Sequence, residues 1–166
     1  MRLGAAELAV LLHGDGLADG ATVPSDWPDR HDREFLESRE ARIADDPSWA
    51  QWAYALTVET AAGRSVVGHA GFHGPPGTNG RGQADALEIG YTIFPPYRGS
   101  GYATEAVEAL VAWGLRVHGI TVFLASVAPD NDDSRAVLDR TGFVHVGEQL
   151  DEIDGLELVY ERQLRK

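Results

Sequence analysis

Leu87, Ile89, Tyr91 and Ile93 alternate with Glu88, Gly90 and Thr92, the period of two that predicts a strand with one buried face. Pro95 and Pro96 end it, since neither can donate to a sheet ladder. From Thr104 the period changes. Ala106, Val107, Leu110, Val111 and Leu115 recur at three- and four-residue steps, so a helix begins there. The intervening loop, residues 98–103, carries Gly99 and Gly101. Strand, tight loop and helix start are thus compressed into one stretch.

The same reading places the other elements around it. Residues 7–13 predict a short helix with Leu8, Leu11 and Leu12 on one side, and residues 14–27 a Gly- and Asp-rich loop. Asp29 is placed to cap a helix over about 30–44 that carries Phe35, Leu36, Arg39 and Ile43. Residues 52–60 and 65–72 predict two strands turning at Ala62-Gly63. Residues 74–85 hold two prolines and four glycines without periodicity, and predict a mobile loop. Downstream come a strand at 121–127, a short helix at 134–140, and a closing hairpin from 144–149 and 156–163. No internal repeat interrupts this order.

Composition narrows the class. The 166 residues suit a single domain spanning 1–166, with 43% hydrophobic content and a mean hydropathy of -0.23. No apolar run approaches the roughly 20 residues of a membrane span, and the start lacks a signal peptide. With no cysteine, disulfides and thiol chemistry are excluded, and a reducing, cytoplasmic setting is expected. A net charge of -12 and a pI near 4.8 argue against a nucleic-acid partner. An acidic field favours a cationic substrate such as an amine. It opposes a polyanion, so any anion site must be locally positive.

The loop before the second helix has that character. Amides at a helix start lack partners within the helix, and the dipole there is positive. Gly99 and Gly101 allow close approach to the main chain, and Arg98 adds a full charge. A phosphate-bearing ligand is the expectation, against the alternative of a plain turn. A nucleotide P-loop needs Gly-Lys-Ser/Thr, whereas the only lysine is Lys166. A dinucleotide fingerprint requires an acid about 20 residues on, at the end of the next strand, and residues 121–127 offer none.

Arg98-Gly-Ser-Gly101-Tyr-Ala103 resembles the acyl-CoA motif Gln/Arg-x-x-Gly-x-Gly/Ala of the GNAT superfamily of N-acetyltransferases. Glu88-Ile-Gly-Tyr91, Asn131-Asp-Asp-Ser134 and Arg140-Thr-Gly142-Phe143 resemble the subgroup of the RimJ and RimL ribosomal-protein N-terminal acetyltransferases. The resemblance covers roughly residues 50–165. It implies an α/β (α+β) GNAT fold: a mixed, mostly antiparallel sheet splayed at its middle, with helices on both faces. It also implies a bacterial-type enzyme that moves acetyl from acetyl-CoA to a primary amine by direct attack in a ternary complex, without a metal. Many relatives pair as homodimers. Relatives have a strand before the first helix; only Met1–Gly4 is available here, so that strand is short or missing.

By resemblance, the cofactor contacts fall on Tyr91, Thr92, Ile93 and Phe94 of the strand and on Arg98, Gly99, Ser100, Gly101, Tyr102, Ala103 and Thr104 of the loop. A bulge near Ile93 would re-aim the strand amides, and Asn131 would bond the pantetheine. Glu88 is the candidate general base, directly or through water, against the reading of a salt-bridged strand carboxylate. The family's usual acid, a Tyr, falls at Leu138, which departs from the pattern; Ser134 is the subgroup's substitute, against the reading of a helix cap. Arg135 and Arg140 are candidates for the 3′-phosphate. Trp27 and Phe35 are core or groove lining, and His69, His73, His118 and His145 show no metal spacing and receive no role.

Two other classes remain: an idle acyl-CoA-binding module, suggested by Leu138, and a nucleotide-binding regulatory domain. The sequence does not choose among protein N-termini, amino acids, polyamines and amine antibiotics as acceptor. For the loop itself, Gly101→Asp is expected to abolish CoA binding in a calorimetric titration while leaving the protein soluble; retained affinity would refute the placement.

Overall fold

The computed structural model describes residues 8, 12, 20–24, 30–60, 63–151 and 155–165. Helix α1 spans Arg30–Asp45, and a 3-10 turn, Pro47–Trp52, leads into the hairpin β1 (Ala53–Thr60) and β2 (Gly63–Phe72). Strand β3 (Ala86–Ile93) is followed by a 3-10 turn at Pro95–Tyr97, then α2 (Tyr102–His118) and β4 (Val122–Val127). Helix α3 (Asp132–Arg140) and the hairpin β5 (Val144–Asp151) and β6 (Gly155–Gln163) complete it. The strands form one sheet in the order β1-β2-β3-β4-β6-β5. Only β3 and β4 run parallel, joined by the α2 crossover; every other neighbouring pair is antiparallel. This is the expected mixed, mostly antiparallel sheet.

Helix α2 covers one face, packing Ala106, Val107, Leu110 and Val111 against Ala70, Phe72, Leu87, Ile89 and Phe123. Burying each such Val or Leu contributes roughly 1.5–3 kcal/mol. Leu115, expected on the same stripe, is 43% exposed. Gly114 takes the sheet-facing position instead, because a Cβ there would lie 2.7 Å from the Phe123 ring. Helix α1 meets the opposite face, where Asp32 holds His69 of β2. Strand β3 is buried on both sides from Ala86 to Ile89, not on one face as its alternation suggests. As a central strand between packed layers it has no solvent side there.

Helix α2 starts at Tyr102, two residues before the expected Thr104, with Gly101 as its N-cap at φ 86°. The loop 74–85 is tied rather than loose. Gly77 donates to the Ala86 carbonyl at 3.2 Å, and Asn79 Oδ1 accepts from the amides of Arg81 and Gln83. Of the predicted first helix, Leu8 and Leu12 are helical and buried. The expected strand at Met1–Gly4, Trp27 and Asp29 lie outside the described residues.

The bulge expected near Ile93 is not in the β2–β3 ladder, which pairs without a shift from Gly68↔Ile93 to Phe72↔Ile89. It sits one strand over, where Leu56 and Thr57 face Gly68 and Val66 and leave Val67 extra on β2. Beside it, a Cβ on Gly68 would lie 2.1 Å from the Thr92 carbonyl oxygen. Gly68→Ala is therefore expected to cost about 1–3 kcal/mol in urea denaturation, because a backbone atom has to give way. An unchanged midpoint would mean that β3 is not held this close.

Candidate active site

The site begins where the two parallel strands part. β3 and β4 pair only over Ala86↔Val122, Leu87↔Phe123 and Glu88↔Leu124. Beyond Glu88, β3 continues beside β2 alone and β4 beside β6 alone. The opening between them separates two cavities, one of about 700 Å³ toward the α2 N-terminus and one of about 520 Å³ toward α1. Tyr91, Thr92, Asn131 and Ser134 line both, so the two spaces meet at those residues.

The larger groove has the character of an anion site. Gly99 and Gly101 hold φ values of 75° and 86°, in the left-handed region that favours glycine. Among the described residues, no protein atom accepts from the amides of Gly99 through Thr104. Two arginines flank them. Arg98 donates from Nε to the Ile93 carbonyl at 2.9 Å, and Arg140 from Nη1 to Thr104 Oγ1 at 3.2 Å. Unpaired amides at a helix start together with two guanidinium groups fit a pyrophosphate, and they answer the opposing overall charge locally.

Of the expected cofactor contacts, Tyr91, Thr92 and Ile93 line this groove, as do residues 98–104 apart from Ser100, which is exposed. Phe94 does not. It is 4% exposed, packs with Leu36 and Val66, and donates its amide to the Val67 carbonyl. Its aromatic ring is worth more in the core than at a polar groove. Arg140 reaches the groove, whereas Arg135 is held by Asp132, the Pro129 carbonyl and the Tyr160 hydroxyl, outside both cavities.

At the junction, the Tyr91 hydroxyl donates to the Ser134 carbonyl at 3.2 Å, tying β3 to the first turn of α3. Burial pushes the Tyr91 phenol above its ordinary range, a rise partly offset by hydrogen bonding with the Ser134 side chain. The helix cap is Asn131, whose Oδ1 accepts from the Ser134 amide at 3.1 Å. Ser134 is therefore not the cap, and its side chain is left to the junction. Leu138, in the place of the family's Tyr, is a buried wall residue of the smaller cavity.

Polar groups gather in the smaller cavity. His69 Nε2 lies 2.8 Å from Asp32 Oδ1, both groups being buried, and Phe35 stacks on the His69 ring at 4.8 Å and 14°. Phe35 is thus a lining residue rather than plain core. Arg39 also lines the cavity; its Nη2 donates to the Phe72 carbonyl at 3.0 Å. Burial and the nearby Arg42 lower its pKa to about 10.

Glu88 does not line the cavity. It is 2% exposed, its Oε1 accepts from Ser126 Oγ at 2.6 Å and its Oε2 from the Gly80 amide at 3.0 Å. His73, which does line the cavity, has Nδ1 3.6 Å from Glu88 Oε2. The unassigned His69 and His73, and Arg39, are what the sequence reading left out of the site. The signal was present: Asp32, Leu36, Arg39 and Ile43 form one buried stripe of α1, and two charges in such a stripe need partners.

The sequence matches the acetyltransferase (GNAT) domain over residues 7–144. It is 33% identical over 79 residues to the uncharacterized N-acetyltransferase YjdG of Bacillus subtilis (strain 168), a match covering 48% of this chain and 44% of that one. The chain spans less than half the length of the curated relatives it matches. Among solved structures, the ribosomal-protein-S5-alanine acetyltransferase of Vibrio fischeri superposes with a TM-score of 0.65 at 15% identity, covering 98% of this chain and 91% of that one. A point mutant of the spermidine N-acetyltransferase SpeG of Vibrio cholerae gives 0.63 at 15% identity, covering 98% and 93%. At such identities these neighbours bear on the fold alone. A family match over most of the sequence, on a sheet that opens above a cradle of free amides, makes this chain a member of the GNAT acetyltransferase family.

Proposed function

We propose that this protein transfers an acetyl group from acetyl-CoA to a primary amine, by direct attack with both reactants bound. The observation that carries this reading is the meeting of the two cavities at Tyr91, Thr92, Asn131 and Ser134. One has the unpaired amides and arginines that suit a pyrophosphate; the other has histidines and carboxylates that suit an amine. Proximity of this kind is worth about 7–11 kcal/mol of barrier when reactants are held in line.

Acetyl-CoA supplies the acetyl group as an activated thioester. The amides of residues 99–104 hold its pyrophosphate, Arg140 the 3′-phosphate side, and Asn131 donates from Nδ2 to the pantetheine arm. The β3 main chain at Tyr91–Ile93 orients the thioester along the opening, as an oxyanion hole would. Glu88 acts as the base through His73, since the histidine, not the carboxylate, reaches the cavity. Ser134 protonates the departing thiolate in place of a phenol at position 138. The Asn131-capped α3 and this Ser134 support the RimJ/RimL-like subgroup. Among the described residues no helix is long and apolar enough to cross a membrane. With no cysteine in the chain, a cytoplasmic single-domain enzyme is the reading that fits best.

Thiol release measured across an amine library tests the proposal. Glu88→Gln and His73→Ala are each expected to lower kcat by about 10²-fold or more while leaving acetyl-CoA affinity within about twofold. CoA bound with no amine turned over would mark a binding module instead. Full activity in both variants would remove the base assignment.

A further inference from the structure

Arg39 is a buried cation with no counter-ion among the described residues. It is 5% exposed. Its Nη2 is engaged by the Phe72 carbonyl, but Nη1 is buried with no hydrogen-bond partner among the described residues. Its remaining contacts are the faces of Phe35 and Trp49, whose centroids lie 5.2 and 5.8 Å away. A charge removed from water is tolerated when paired, and guanidinium is shaped for a two-point grip on a carboxylate. Burial and the neighbouring Arg42 both act against its charge.

The unpaired group stands on the wall of the acceptor cavity, beside His69 and Ser38. We infer that the acceptor itself brings the anion: it is a primary amine that also carries a carboxylate, an amino acid, and Arg39 is the residue that selects it. This rests on the acetyl-transfer reading above. Arg39 is anchored to β2 through Phe72, which faces Ile89 of β3, and Ile89, Tyr91 and Thr92 line the same cavity. A carboxylate held from β2 leaves the amine of a compact molecule near Tyr91 and Thr92. Glu34 and Glu157 also line the cavity, and Glu157 is engaged by Gln149. A polyamine brings no anion and would leave Arg39 unpaired.

The test compares amino acids with their carboxamides, which match in shape and lack the charge. In the wild-type protein the acids are expected to exceed the amides by at least about tenfold in kcat/KM, since a site built for a charged group rejects the neutral analogue. Arg39→Met should bring the two within about twofold, chiefly by raising KM for the acid, and Arg39→Lys should fall between. Amides or spermidine equal to the acids in the wild type would overturn the inference. Calorimetry of acids and amides with the CoA-bound wild-type protein gives a readout that needs neither turnover nor a folded variant. Acids binding without acetylation would sink the transfer reading and leave the carboxylate site standing; acids binding no better than amides would sink the site.

Discussion

The molecule depends on a pairing that stops early. Parallel ladders between β3 and β4 last three residue pairs, and from Glu88 onward each strand keeps only its outer neighbour. An opened ladder leaves backbone groups of β3 unpaired toward the gap, which costs free energy unless something fills it. The interactions around the opening hold its two sides. Glu88 bonds Ser126 of β4 and the Gly80 amide at the point of divergence, and Gln149 extends the network from β5 by donating to Ser126 and Glu157. Higher up, the Tyr91 hydroxyl reaches across to the Ser134 carbonyl. The gap is thus framed at its base by a carboxylate and at its mouth by a phenol.

That frame changes how Glu88 is understood. A strand carboxylate on an open sheet is normally solvated, whereas this one is buried with two hydrogen bonds, one of them to a loop amide. It holds the loop 74–85 against the sheet and stands behind His73. Its place at the divergence and its distance from the cavity follow from the same geometry. The side chains that touch the cavity come from neighbours whose own positions it fixes.

Much of this was legible along the chain because it is written in local pattern. The alternation at Leu87–Ile93, the two prolines and the glycines at 99 and 101 fix a strand, a stop and an anion-ready turn without tertiary information. What was not legible depends on strands that are distant in sequence. His69 and Asp32 are 37 residues apart and meet only because α1 crosses over β2. Arg39 stands on the legible stripe of α1, but the Phe72 carbonyl that it bonds is 33 residues away. The displaced bulge is a case of the same kind, since the pattern of β3 carries no trace of an extra residue on β2. Phe94 went astray for the opposite reason: it neighbours the motif in sequence but turns its ring into the core.

Strand β2 turns out to be the common ruler. Its Gly68 admits the Thr92 carbonyl, its His69 holds Asp32, and its last carbonyl, at Phe72, holds Arg39. Both cavities are flanked by one strand, so their separation is a property of sheet spacing rather than of loop conformation. A chain built this way can vary the side chains that α1 sets over one cavity, residue by residue, and leave the spacing of the two cavities as it is.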